Sequence, residues 1–320
     1  MKILIVGATG TLGRQIAKQA VEEGHDVRCI VRNPRKASFL QEWGCELTKG
    51  NLLNKSDISY SLQDIETVID VATSRPDDRR SIYETDWEGK LNLFNTCESK
   101  NIKRVIFLSI LLTEQFRNVP LMDIKYCTEK LLEQSSLDYT IFKSAAFMQG
   151  VIGQFAIPIL DSQAVWMSGT PTKIAYMNTQ DMAKIILSSL NNKDTFRLSL
   201  PLVGPKAWDA NEIITLCEKF SAKKAKIFRV SPFIIKATQA VVSFFQDSLN
   251  VSERLAFAEV TSSGKVLDDD MKKTYEILGL QETDMTSLES YIKEYYDQIL
   301  KRIKEMEADL DVEEKKRLPF

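Results

Sequence analysis

Residues 2–13 read KILIVGATGTLG, and this stretch decides the fold. The run from Lys2 to Val6 is almost entirely apolar, which predicts a strand buried on both faces. A glycine-rich turn follows at once and opens a helical run. Gly7 allows a sharp turn, Gly10 lets a pyrophosphate approach the backbone, and Gly13 lets the helix pack close to the sheet. Because the free amides at such a helix start favour phosphate, we interpret the turn as a dinucleotide-binding loop. The alternative is a turn that kept this shape and lost its ligand.

The end of the second predicted strand bears on which dinucleotide is bound. NAD-binding proteins commonly place a carboxylate there, where it accepts hydrogen bonds from the ribose hydroxyls. Here the strand ends at Arg32, and Asn33, Pro34, Arg35 and Lys36 follow. A guanidinium pairs well with a 2′-phosphate, so the three cations favour NADP(H) over NAD(H). The alternative is a basic turn that is simply solvated.

Short apolar runs alternate with helical runs through the first 145 residues. Five strands are predicted, at Lys2–Val6, Asp26–Val31, Thr67–Val71, Arg104–Ser109 and Tyr139–Phe142. Helices are predicted between them, at Leu12–Glu23, Pro34–Trp43, Tyr83–Lys100 and Ile124–Gln134. This alternation indicates an α/β fold with a Rossmann-type, doubly wound parallel sheet.

The pattern changes after Phe142, where proline becomes frequent and the alternation weakens. One further helix near Asp181–Leu190 and a strand near Phe196–Val203 return to the sheet. We therefore predict a Rossmann domain and a smaller, mainly helical lobe, followed by a C-terminal helix from about Thr286 and a charged tail. The boundaries are 1–145 plus about 172–204 for the Rossmann domain, about 146–171 and 205–285 for the smaller lobe, and 286–320 for the helix and tail.

Composition excludes several classes of function. The single histidine, His25, cannot supply a multi-histidine metal site, and no two of the five cysteines form a Cys-x-x-Cys pair, so we expect no metal. A formal net charge of −2 gives no support to a nucleic-acid partner. The first predicted strand starts directly after Met1, which predicts no secretory signal, and no apolar run is long enough to span a membrane.

The glycine turn, the run Arg32-Asn33-Pro34 and residues 176–183 (YMNTQDMA) together resemble the NmrA-like atypical short-chain dehydrogenases. Within that family the chain is most similar to the photosystem II assembly factors of cyanobacteria and plastids, on residues 165–169 (VWMSG), Phe244-Phe245, 254–260 (RLAFAEV) and 317–320 (RLPF). The resemblance implies an NADP(H) site and a place at the stromal face of plastid thylakoids, or at the cytoplasmic side of cyanobacterial ones. It also implies partners: photosystem II reaction-centre core subunits and high-light-inducible-type chlorophyll-binding proteins, which would hold the chain peripherally on the membrane.

The same resemblance implies cofactor contacts, residue by residue. Beside the three glycines, Thr9, Thr11 and Leu12 would offer amides or hydroxyls to phosphate. Asn51-Leu52 stands where the family usually has Asp-Leu beside adenine, and Asn51 still donates and accepts hydrogen bonds. The remaining positions are Ala72, Thr73 and Ser74 under the nicotinamide ribose, and Lys125 on the ribose.

Active members of this family use Tyr-x-x-x-Lys for proton transfer. Tyr126 and Lys130 have this spacing in the sequence and are the only catalytic candidates. Extended members of the family, however, usually place a glutamate four residues after the active lysine. That frame selects Lys125 and Glu129, and it puts Leu121 where the tyrosine belongs. A shift of one residue turns a helix by about 100°, so only one frame faces the cofactor. We favour the Lys125 frame. No residue clearly supplies the serine-type hydroxyl that would help polarise a substrate carbonyl, and Thr113 is the nearest candidate.

Three classes of function remain. The missing phenol disfavours a reductase, and the resemblance then favours a non-catalytic NADP(H)-binding scaffold for photosystem II assembly and chlorophyll-protein delivery. The alternatives are an NADPH-dependent reductase of an unknown small molecule and an NADP-sensing regulatory protein. Outside the cofactor site, residues 232–245 either form a core helix of the smaller lobe or present Phe233, Phe244 and Phe245 to a partner helix or a bilayer.

Overall fold

The computed structural model describes residues 1–74, 78, 80–231 and 256–317. Its centre is a sheet of seven parallel strands in the order β10-β6-β5-β4-β1-β2-β3. The strand order reverses beside β1, because β2 pairs with one edge of β1 and β4 with the other. In an open parallel sheet, this reversal leaves a crevice outside the carboxyl ends of the strands.

The strands of this sheet are Lys2–Val6 (β1), Asp26–Val31 (β2), Glu46–Lys49 (β3), Thr67–Asp70 (β4), Arg104–Ile110 (β5), Asp138–Ser144 (β6) and Leu198–Leu202 (β10). The helices beside them are Thr11–Glu22 (α1), Ser38–Glu42 (α2), Lys55–Ser61 (α3), Gly89–Ser99 (α4), Pro120–Gln134 (α5) and Thr179–Ser188 (α8). All the predicted strands are confirmed to within two residues. The predicted helix Pro34–Trp43 is a 3-10 turn at Pro34–Ala37 followed by α2, and Tyr83–Lys100 begins as a π-helical turn at Tyr83–Glu88.

Successive side chains of β1 pack against opposite layers of helices, as the period of a strand requires. Ile3 and Ile5 are fully buried in a cluster with the apolar faces of α1 and α8. Leu4 and Val6 are buried in a second cluster with residues of α3 and α4. The continuous apolar run of β1 therefore reflects burial on both faces, as predicted.

The remaining elements lie mainly after β6. They are Ala146–Phe147 (β7), Met148–Val151 (α6), Ile157–Leu160 (α7), Ala164–Ser168 (β8), Tyr176–Met177 (β9), Ala210–Ser221 (α9), Lys226–Val230 (β11), Lys272–Leu278 (α10) and Leu288–Arg317 (α11). Two small parallel sheets pair β8 with β11 and β7 with β9.

A separate apolar cluster joins α6, α7 and α9 to the start of α11. At its centre the fully buried Tyr296 donates a hydrogen bond from its hydroxyl to the carbonyl oxygen of Ala156, at 2.9 Å. The predicted C-terminal helix is therefore confirmed, with its first turns packed against these three helices. The division of the chain into two domains at the predicted boundaries stays a prediction. Phe233, Phe244, Phe245 and residues 254–255 and 318–320 lie outside the described residues.

No helix within the described residues is long and apolar enough to cross a bilayer. The same part of the chain holds no cluster of three or more histidine, cysteine, aspartate or glutamate residues that would suit a metal ion.

Candidate functional site

A cavity of about 860 Å³ lies at the carboxyl ends of β1, β2, β4, β5 and β6, in the crevice where the strand order reverses. Thirteen of the fourteen predicted cofactor residues line it. They are Gly7, Thr9, Gly10, Thr11, Leu12, Gly13, Arg32, Asn51, Leu52, Ala72, Thr73, Ser74 and Lys125. The exception is Arg35, whose exposed side chain is not among the residues that line this cavity within the described chain.

The glycine turn has a shape that only glycine allows at two positions. Gly7 adopts φ +91°, and a Cβ there would lie 2.7 Å from the Cα of Ala72 at the end of the neighbouring strand. A Cβ on Gly13 would lie 2.7 Å from the carbonyl carbon of Gly7. Both distances are shorter than atoms tolerate, so either substitution must deform the turn.

The first turn of α1 is left open to the cavity. The N-cap residue is Gly10, which makes no side-chain capping bond, and no acidic residue lies in the first turn. The amide of Gly10 itself donates to the carbonyl oxygen of Gly7 at 2.9 Å, which closes the loop. A helix start without a capping side chain, at the floor of a glycine cradle, fits a pyrophosphate in charge and in shape.

Two arginines mark the end of the cavity at β2 and β3. Arg32 forms an ion pair with Asp78 at 2.8 Å, and Arg80 donates to the Oδ1 atom of Asn51 at 2.6 Å. A side cavity of about 410 Å³ is lined by both arginines together with Lys49, Gly50, Asn51, Asp57 and Asp78. Three cations around a small polar recess fit a 2′-phosphate, and Asp78 is placed to compete with that phosphate for Arg32. The sequence reasoning missed Arg80, which is far from Arg32 in the chain.

A layer of buried charges lies below the middle of the cavity. Lys90 is fully buried and forms an ion pair with Asp70 at 2.5 Å, and it also donates to the carbonyl oxygen of Ala72 at 2.9 Å. Asp86 is equally buried and accepts a hydrogen bond from the amide of Ser74 at 2.9 Å. Together these groups fix the backbone that leaves β4, where the resemblance places the nicotinamide ribose.

Lys125 reaches this region from α5. Its ammonium donates to the carbonyl oxygen of Leu108 at 3.0 Å and lies 4.6 Å from the ring centroid of Phe107. Burial, together with the nearby charge of Lys90, lowers the pKa of Lys125 to about 8. Leu121, one helical turn earlier, also lines the cavity. An aliphatic side chain therefore stands where a proton-transferring phenol would be expected.

Glu129 occupies the next turn of α5 and organises the surrounding hydroxyls. Its carboxylate accepts hydrogen bonds from Ser109 and from Thr113, the latter at 3.1 Å, and pairs with Lys143 at 2.9 Å. Ser109 lines the cavity, but its hydroxyl proton is committed to Glu129. Thr113 is fully buried, and it does not line the cavity within the described chain, so it is not placed to serve as the missing serine-type hydroxyl.

Tyr126 and Lys130 lie outside this cavity. The ring of Tyr126 packs under the guanidinium of Arg117, 4.4 Å from the ring centroid, and Lys130 pairs with Glu133 at 2.5 Å. Neither residue is among those that line the cavity in the described part of the chain. The geometry of α5 therefore turns the Lys125 register toward the cavity and the Tyr126 register away from it.

The far end of the cavity is formed by the segment after β6. Tyr176 supplies a phenol there, and burial raises its pKa to about 12, so it keeps its proton at neutral pH. Its backbone is held closely, because a Cβ on Gly204 would overlap the carbonyl oxygen of Tyr176. Sequence reasoning noted Tyr176 only as part of a motif. The other residues at this end are Phe147, Gln149, Gly150, Gln154, Ile174, Phe257 and Thr261.

The parallel sheet, the glycine cradle and the buried lysine define a Rossmann protein of the NAD(P)-binding class. A family model described as NAD(P)H-binding matches residues 7–193. The photosystem II assembly factor Ycf39 of Synechocystis sp. is 48% identical over 311 residues, which cover 97% of this chain and 95% of that protein. The chloroplastic protein High Chlorophyll Fluorescence Phenotype 244 of Arabidopsis thaliana is 43% identical over 307 residues, covering 96% of this chain and 77% of that protein.

Among solved structures, the NADPH-dependent quinone oxidoreductase of Escherichia coli, in complex with NADPH, has a TM-score of 0.73 at 21% identity. The match covers 92% of this chain and 99% of the oxidoreductase, and it shows a shared fold. The chain belongs to the NAD(P)H-binding family of the photosystem II assembly factor Ycf39. The similarity extends over nearly the whole chain.

Proposed function

We propose that this protein is a photosystem II assembly factor that binds NADP(H) and does not turn it over. The observation that carries the proposal is the similarity to the Ycf39 relatives along nearly the whole chain, which includes the smaller lobe as well as the cofactor domain. Its place would be the stromal side of a plastid thylakoid, or the cytoplasmic side of a cyanobacterial one.

The arrangement around Lys125 supports the non-catalytic part of this proposal. Hydride transfer to a carbonyl requires a proton donor beside the nicotinamide. In the register that faces the cavity, Leu121 replaces the expected phenol, and the hydroxyl of Ser109 is committed to Glu129. Lys125 is left as a group that holds the cofactor. Tyr176 is the one phenol among the described lining residues, and its pKa of about 12 makes it a weak acid.

The partners in this proposal are reaction-centre core subunits of photosystem II and high-light-inducible-type chlorophyll-binding proteins. The chain would associate peripherally with the thylakoid through them and assist the delivery of chlorophyll proteins to the growing core. The bound dinucleotide would then stabilise the fold that these partners recognise.

The test is to express the tagged chain in a cyanobacterium that lacks its own Ycf39 and to capture it in mild detergent. We expect mass spectrometry to identify photosystem II core subunits and high-light-inducible proteins. The Gly13→Ala variant, which crowds the cofactor loop, should capture fewer of them than Gly153→Ala, where a Cβ would meet nothing within 4 Å.

A parallel assay measures turnover directly. Purified protein with NADPH and a panel of quinones and other carbonyl compounds should show no sustained oxidation of NADPH. Turnover that disappears in the Tyr176→Phe or Lys125→Met variant would contradict the non-catalytic proposal. A partner-free protein recovered from the membrane extract would contradict the assembly role.

A further inference from the structure

Large apolar side chains are unusually exposed on one small sheet of the molecule. Among the described residues, eight large apolar or aromatic side chains are exposed, and four of them belong to α7, β8 and β11. These four are Ile157, Trp166, Ile227 and Phe228. Scattered single exposed residues are common in soluble proteins, but a cluster usually marks a binding surface.

Two aromatic rings of this set lie in contact on one face of the sheet. Trp166 of β8 and Phe228 of β11 are register partners, and their ring centroids lie 4.8 Å apart at an angle of 51°. They project from the same face of the two-stranded sheet, with exposed fractions of 62% and 56%. Neither residue lines the dinucleotide cavity. Their exposure therefore has no explanation in the cofactor site.

Several cations flank Phe228 in the sequence. Residues 223–229 read KKAKIFR, with four cations and no anion. Lys224 is paired with Glu218, and Lys223 donates to the carbonyl oxygen of Leu160. Lys226 and Arg229 are exposed and have no ion-pair partner among the described residues. Strand alternation places Lys226 on the same face as Phe228 and Arg229 on the opposite face.

We propose that the β8–β11 face, centred on Trp166 and Phe228, docks directly on an anionic lipid surface. A tryptophan and a phenylalanine beside the unpaired Lys226 match the interface of such a bilayer, where rings enter the headgroup layer and cations meet lipid phosphates. The whole chain has a formal net charge of −2, so the local cations, rather than the overall charge, would select the orientation.

The size of the surface favours a bilayer over a protein partner. Strands of five residues at about 3.3 Å per residue, in a sheet of two strands, give a face about 17 Å long and about 10 Å wide. A stable protein interface buries roughly 800 Å² on each partner, several times the area of this face. A shallow interfacial contact has no such minimum. This proposal goes beyond the proposed function, because it adds a direct lipid contact to attachment through partners.

The experiment uses the purified full chain and extruded vesicles, with no photosynthetic protein present. The chain should sediment with vesicles of phosphatidylcholine and phosphatidylglycerol at 70:30 and not with phosphatidylcholine alone, and binding should fall when NaCl is raised from 50 to 500 mM. The Trp166→Ser/Phe228→Ser variant should lose at least tenfold in affinity. Lys226→Gln should lose about fivefold, and Arg229→Gln, on the opposite face of the strand, should lose less.

Tyr60→Ser is the matched control, since Tyr60 is 60% exposed on α3, in the Rossmann part of the chain. It should bind vesicles as the wild type does, and all the variants should keep their NADPH affinity. Brominated lipid should quench the tryptophan emission of the wild type and much less that of Trp166→Phe.

Failure of the wild type to bind anionic vesicles would overturn the proposal, as would an equal loss in Tyr60→Ser. Because no assembly partner is present, these outcomes leave the proposed assembly role untouched. Capture of photosystem II subunits by a chain that does not bind vesicles would retain that role and assign membrane attachment to the partners alone.

Discussion

Replacing Arg32 with alanine tests how the cavity distinguishes NADPH from NADH. The two cofactors differ only in the 2′-phosphate, and Arg32 is the cation that follows directly after β2 at the recess suited to it. We expect the variant to bind NADPH more weakly and NADH with unchanged affinity. The ratio of the two dissociation constants therefore isolates the contribution of this one contact.

The size of the effect follows from the surroundings of Arg32. A hydrogen bond between charged groups contributes roughly 1.5–3 kcal/mol, and exposed ion pairs contribute roughly 0.2–1 kcal/mol. The side chain of Arg32 is 54% exposed and already has an acidic partner, Asp78, at 2.8 Å. We therefore expect a loss of about 1.4 kcal/mol, which is about tenfold in the dissociation constant for NADPH.

Asp78 provides the opposite perturbation. Because its carboxylate competes with phosphate for Arg32, whose side chain is 54% exposed, Asp78→Asn should tighten NADPH binding about twofold to threefold. In the Arg32→Ala background the same change should have a smaller effect, since the competition has been removed.

Isothermal titration calorimetry at 50 and 300 mM NaCl measures the binding of both cofactors to the wild type, Arg32→Ala, Asp78→Asn and the double variant. The matched control is Arg35→Ala, an exposed arginine outside the cavity lining. Equal losses for NADPH and NADH in Arg32→Ala, or a loss in Arg35→Ala as large as in Arg32→Ala, would refute the assignment of the 2′-phosphate to Arg32.

Three further predictions concern the loop and the buried charges. In Gly13→Ala the new Cβ would overlap Gly7, so the variant should show no detectable NADPH binding in calorimetry and should lose roughly 1–3 kcal/mol in the free energy of unfolding. Gly153→Ala, the control, should show neither effect. Between its folded pKa of about 8 and its ordinary pKa of 10.5, Lys125 binds fewer protons in the folded state than in the unfolded state. The free energy of unfolding of the wild type should therefore rise by up to about 3 kcal/mol as the pH rises through this window. Urea titrations at successive pH values should show that Lys125→Met lacks this gain. Glu129→Gln breaks the buried pair with Lys143 and should lower the free energy of unfolding by roughly 3 kcal/mol. Glu133→Gln, in the exposed pair with Lys130, should change it by less than about 0.5 kcal/mol. Equal effects of the two substitutions would contradict the burial argument.

Local sequence signals predicted the sheet and the cofactor loop well, because their causes are local. The glycine positions follow from backbone geometry within seven residues, and the buried strands show as short apolar runs. The edge strand β3 was not among the predicted strands. Its residues Glu46–Lys49 are mostly polar and only four long, as an exposed edge requires, so they carry little strand signal.

Contacts between distant segments were the part that local patterns could not supply. Arg80 reaches Asn51 across 29 residues, and Lys143 meets Glu129 from the strand that follows α5. The choice between the Tyr126 and Lys125 registers depends on which side of α5 faces β5, and a rotation of about 100° separates the two. The sequence signal for the Lys125 register was Glu129, four residues later. In the structure, Glu129 accepts hydrogen bonds from the hydroxyls of Ser109 and Thr113.

The buried charges give the proposed NADP(H) ligand a role that does not depend on proton transfer. Burying Lys90, Asp70, Asp86 and Lys125 costs free energy unless each charge is paired or hydrogen-bonded, and apolar replacements are often as stable. These charges hold the strand ends against which a ribose and a pyrophosphate would lie. A ligand present at a hundred times its dissociation constant stabilises the folded state by about 2.7 kcal/mol, whether or not it reacts. Under the proposed non-catalytic role, NADP(H) would therefore serve as a structural ligand whose binding offsets the cost of the charges beneath it.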